Sequence, residues 1–97
     1  MSNQVSTGNL YGTVTDIQGQ PLPGVTMTLK GQIAPKVQVT NAQGHFQFLN
    51  LAPATYSLMA ELEGFSPYEQ SLINIAVGRN TTIEMVLQPS EEENRPS

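Results

Sequence analysis

Cysteine and tryptophan are absent from the 97 residues, and histidine and aspartate occur once each, as His45 and Asp16. Without cysteine there is no disulfide scaffold and no thiolate metal site, although the compartment stays open. A Ser-His-Asp arrangement could be built only through His45 and Asp16, and nothing in the spacing sets a serine beside them. Cations are equally scarce: Lys30, Lys36, Arg79 and Arg95 are scattered through a chain of net charge −4. Four isolated cations cannot form a stripe that tracks phosphates, which excludes nucleic acid as a partner. No apolar run approaches the roughly 20 residues that span a bilayer. The start, Met1 to Gly8, is polar and lacks a signal-peptide core. The chain as it stands is expected to be soluble, with no direct membrane insertion.

What the sequence does hold is short alternation. Charged residues make up only 12% of the chain, about half the usual share. Thr, Ser, Asn and Gln supply the polar surface instead. Threonine is both polar and β-branched, so this composition suits pleated strands with one wet face. Leu10, Gly12 and Val14 alternate with Tyr11, Thr13 and Thr15 in a period-2 pattern. Val25, Met27 and Leu29 alternate with Thr26, Thr28 and Lys30, while Val37 and Val39 mark a third strand. Phe46 and Phe48 point opposite to His45 and Gln47. Tyr56, Leu58, Ala60 and Leu62 share a face, as do Ile73, Ile75 and Val77 on a strand from about Tyr68. Ile83, Met85 and Leu87 face inward on the last strand.

Turn residues separate these runs: Asp16 to Gln20, Pro21 to Gly24, Asn41 to Gly44, Glu63 to Pro67 and Gly78 to Asn80. About seven strands with a turn every 8–12 residues, and no segment of helical period, predict one all-β Greek-key β-sandwich. The expected core is Val14, Val25, Met27, Leu29, Val39, Phe46, Phe48, Leu51, Tyr56, Leu58, Ile75, Ile83, Met85 and Leu87. Residues 1–8 are expected to be a disordered N-terminal segment, residues 9–88 the sandwich, and residues 89–97 a disordered acidic tail or linker.

Few residues offer ligands. Asp16 with Gln18 and Gln20, or the run Glu91-Glu92-Glu93, presents oxygens without the spacing of a calcium loop. Asn80-Thr81-Thr82 matches an N-glycosylation triplet but reads better as a turn feeding a Thr-rich strand. Tyr11 and Tyr68 fall out of phase with the core and could make an aromatic platform for a sugar or a peptide. Unpaired strand edges are a second candidate surface.

The ordered set Gly12-Thr13-Val14-Thr15-Asp16, Gly19-Gln20-Pro21-Leu22-Pro23-Gly24-Val25 and Val39-Thr40-Asn41 is continued by Gly44-His45-Phe46-Gln47-Phe48. Leu51-Ala52-Pro53 with Tyr56, then Gly64-Phe65, complete it. This set resembles the carboxypeptidase regulatory-like domain over roughly residues 9 to 88. The resemblance implies a transthyretin-like (prealbumin-like), broadly immunoglobulin-like sandwich. Tyr56 is similar to the tyrosine corner of such sandwiches, whose hydroxyl bonds backbone a few residues upstream. The family usually has glycine where this chain has Ala54, a costly exchange if that position needs positive φ.

The resemblance further implies a non-catalytic accessory unit of a larger, exported or cell-envelope protein, supporting folding, spacing or docking of neighbouring domains. Its partners would be those domains or another protein. The localisation implied is extracytoplasmic. The hydrolase branch of the transthyretin fold would need more histidines than this chain has. No catalytic residue, metal ligand or cofactor is assigned. The alternatives are a carbohydrate-binding module using Tyr11 or Tyr68, and an adhesin stalk. The covalent form of that stalk needs a lysine on an early strand near a buried carboxylate, and Lys30 is out of phase for that role.

Overall fold

A computed structural model describes residues 6–31 and 34–90. Among the described residues, seven strands follow one another without a helix: β1 (Gly8–Asp16), β2 (Thr26–Lys30), β3 (Lys36–Val39), β4 (His45–Leu51), β5 (Ala54–Glu61), β6 (Tyr68–Ile75) and β7 (Asn80–Leu87). They form a three-stranded sheet in the order β4-β1-β7 and a four-stranded sheet in the order β3-β2-β5-β6. An alternating strand has one apolar face, and here the two apolar faces close on each other. Leu10, Val14, Phe46, Phe48, Met85 and Leu87 of the smaller sheet meet Met27, Leu29, Tyr56, Leu58, Ile73 and Ile75 of the larger. Phe46 and Phe48 pack edge to face, with ring centroids 6.1 Å apart.

β1 lies in the middle of its sheet, antiparallel to β4 and parallel to β7. A side chain at Gly12 would run into the Phe46 ring, so the glycine lets that ring cross over the strand. The two hairpin-like turns repeat one chemistry. At Asp16 and at Asn41 the side-chain Oδ1 accepts from the amides two and four residues on. The glycine amide three residues on bonds the same residue's carbonyl, and Gly19 and Gly44 take φ of 84° and 77°. These are type I turns closed by a glycine in the left-handed region.

Three expectations are corrected. Val39 is 57% exposed and Val37 likewise faces out. Both sit on an edge strand, opposite Thr26 and Thr28 on the outer face of the larger sheet. Ile83 is only partly buried, whereas Leu10, Ala60 and Ile73 are core. Val77 lies past the end of β6 and is exposed. Residues just outside 9–88 take part in pairing at the edges of the sandwich. Gly8 opens β1, Pro89 bridges Phe65, and the Ser90 amide bonds the Gly64 carbonyl. The rest of the expected unstructured ends, 1–5 and 91–97, lies outside the described residues. Ala54 pairs with Ile75 as ordinary strand, and the left-handed position near it is Asn50, at φ 60°.

Candidate functional site

The outer face of the smaller sheet is polar, because β1 alternates and its inward residues are already spent on the core. Tyr11 stands at its centre, opposite Gln47 on β4 and Thr82 on β7. Next to that row, Thr13 lies between His45 and Glu84. Where β4 approaches the edge strand β3, this face dips into a groove of about 490 Å³, walled by Tyr11, Thr13, Gln38, His45, Gln47 and Thr82. With Asn41, Val39 and Phe46 completing them, its walls offer one phenol ring, three carboxamides, an imidazole, two threonine hydroxyls and an apolar flank. Among the described residues they include no carboxylate, serine or lysine.

The groove gathers some of the residues singled out from the sequence and separates others. Tyr11 and His45 share it. Tyr68 does not: it opens β6 in the other sheet and lines a different depression with Ser66, Pro67, Val86 and Pro89. A platform of both tyrosines is therefore not built, because their strands belong to different sheets. Asp16 is outside the groove, and its Oδ1 accepts from Gln18 N–H at 2.8 Å and Gln20 N–H at 2.9 Å. That contact makes Asp16 a turn residue and consumes the backbone groups of the Asp16–Gln20 set. Asn80 opens β7, its Oδ1 accepting from Asn9 Nδ2 at 3.0 Å. Lys30 is exposed at the end of β2, away from any buried carboxylate. Glu91, Glu92 and Glu93 lie outside the described residues.

Two polar side chains are built into the frame. Tyr56 is buried, and its hydroxyl donates to the Ala52 carbonyl at 2.6 Å, which is the tyrosine corner. Thr40 is equally buried. Its Oγ1 accepts from Val25 N–H at 2.9 Å and donates to the Leu22 carbonyl at 2.6 Å, pinning the proline-rich connection onto the core. Alternation alone does not reveal this role, since Thr40 sits past the end of β3. The available signal was a threonine following an exposed edge strand and preceding the Asn41 turn.

The two facing sheets, the tyrosine corner and the pinned Pro21–Gly24 connection together define a prealbumin-like sandwich module. The chain belongs to the carboxypeptidase regulatory-like domain family, which matches residues 9–88. It is 34% identical over 89 residues to the TonB-dependent transporter Oar of Myxococcus xanthus, covering 86% of this chain and 8% of the transporter. Among solved structures, GBS52, the minor pilin of Streptococcus agalactiae, superposes with a TM-score of 0.76 at 20% identity, covering 97% of this chain and 49% of the pilin. A chlorocatechol 1,2-dioxygenase from Pseudomonas putida superposes at 0.66 with 11% identity, covering 90% of this chain and 62% of the enzyme. Likeness at such identities is likeness of fold, and this fold occurs in enzymes and in non-enzymes.

Proposed function

We propose that the chain is a non-catalytic spacer module of a larger, extracytoplasmic cell-envelope protein, holding the segments on its two sides a fixed distance apart. The observation that carries this reading is the parallel pairing of β1 with β7. Because the first and last strands run the same way side by side, the chain enters at one end of the sandwich and leaves at the other. At about 3.3 Å per residue, the eight paired residues of β1 alone separate the two ends by roughly 26 Å. Membership of a regulatory-like domain family, and similarity to a segment that is 8% of a transporter, support the accessory role.

The test is a replacement in the parent chain. An unrelated sandwich whose ends also leave on opposite sides should preserve the parent's assembly. One whose ends leave on the same side should not. Equal loss with both replacements would refute spacing and favour a specific surface.

A second reading is favoured by the groove. Tyr11 between Gln47 and Thr82, with Gln38 and His45 beside them, offers an aromatic face and amide partners to a sugar ring. On a glycan array, specific binding lost in Tyr11→Ala and kept in Tyr68→Ala would support it. Binding by neither the natural chain nor a tandem repeat of it would remove it.

A further inference from the structure

We infer that the sandwich is built to bear tension applied along the chain, with β1 and β7 acting as a shear clamp. This rests on the spacer reading for its use, although the mechanical property belongs to the chain alone. β1 and β7 pair in parallel over eight consecutive residues, from Asn9 with Asn80 to Asp16 with Leu87. Tension through the two ends pulls β1 back from Gly8 and β7 forward from Leu87, along the strand axis and in opposite senses. The ladder bonds lie across that axis, so all of them are loaded together and none can open first. β1 is also the central strand, and withdrawing it means sliding against β4 as well.

Both ends of the clamp are fastened beyond the ladder. Near the start, Asn9 Nδ2 donates to Asn80 Oδ1 and Asn9 Oδ1 accepts from the Asn50 amide, each at 3.0 Å, so one side chain ties β1 to both neighbours. The Gly78 amide donates to the Thr7 carbonyl at 2.9 Å just ahead of it. At the far end, Ser66 N–H bonds the Gln88 carbonyl at 2.8 Å and Ser90 N–H bonds the Gly64 carbonyl at 3.0 Å. The outgoing chain is thereby tied to the turn that precedes β6, on the opposite sheet. Inside, Leu10, Val14, Met85 and Leu87 are buried, and sliding the strands would break their fit to the facing sheet.

The experiment pulls the same folded chain in two directions. The absence of native cysteine lets handles be attached at single chosen sites. Ser6→Cys with Ser90→Cys loads the clamp in shear. Gln18→Cys with Ser90→Cys grips the adjacent ends of β1 and β7 and peels them apart one bond after another. At one loading rate in optical tweezers, the shear pair should unfold at a force roughly two or more times that of the peeling pair. Equal thermal midpoints of the two variants would establish that both carry the same fold. Equal unfolding forces, or a weaker shear direction, would overturn the clamp. That result would leave spacing untouched, since spacing needs only the opposite exits, whereas failure of both replacements in the parent would leave the force contrast standing.

Discussion

The Thr40 hydroxyl accepts from the Val25 amide and donates to the Leu22 carbonyl in a position only 4% exposed. Water cannot replace the contact to the Val25 amide there, so the hydroxyl matters more than its size indicates. Thr40→Val keeps the shape and removes the partner, leaving the buried Val25 amide and the part-buried Leu22 carbonyl without it. The variant should lose about 1–3 kcal/mol in urea unfolding. An unchanged midpoint would mean that another group takes over. Tyr56 was legible at this scale, because an aromatic following Leu51-Ala52-Pro53 in core phase carries both a ring to bury and a hydroxyl to place. Thr40 was not, because its two partners come from a connection far away in sequence. Val39 misled for a simpler reason. A valine in an alternating run reads as inward, but on a two-valine edge strand the phase alone does not say which face is wet.

At the scale of the strand, β6 carries a defect with a measurable cost. Its register against β5 slips between Tyr56, which faces Ile73, and Leu58, which faces Gln70. The extra residue on β6 is absorbed by a bulge in which Leu72 takes φ of 62° and stands 79% exposed. A leucine in the left-handed region is strained by about 1–2 kcal/mol, and at this exposure it recovers little by burial. β6 is an edge strand, and a kinked edge resists pairing with another sheet. Leu72→Gly should relieve the strain and, after the entropy that glycine loses on folding, raise stability by roughly half a kcal/mol. A loss of stability would show that the leucine packs more than its exposure allows. The existence of all seven strands was legible from alternation and turn residues. The bulge was not, since it depends on the register of two strands whose phases each look regular.

Over the whole molecule, the pairing that matters most for the proposed role is the one farthest apart in sequence. β1 and β7 open and close the fold, and no local pattern announces that they lie side by side in parallel. The groove around Tyr11 is hidden for the same reason, since its walls come from β1, β3, β4 and β7. The same distance shapes how the chain folds. β2 with β3, and β5 with β6, join neighbouring segments, and β2 with β5 completes the larger sheet at moderate separation. Closing β1 on β7 confines nearly the whole chain, so its entropic cost is offset only once other contacts exist. The larger sheet should therefore nucleate folding and the clamp should close late. Leu58→Ala, in the middle of the larger sheet, should mainly slow refolding, with a φ-value of about 0.5 or more. Met85→Ala, buried against β1 in the clamp, should mainly speed unfolding, with a φ-value below about 0.3. Both remove a buried side chain and should cost roughly 2–5 kcal/mol, large enough for the ratio to be well defined. Stopped-flow refolding and unfolding across a denaturant series measures both values. A higher φ-value at Met85 than at Leu58 would place the clamp in the nucleus. The late order is what a module under tension gains from, because contacts absent from the transition state hold the native state against unfolding without slowing its formation.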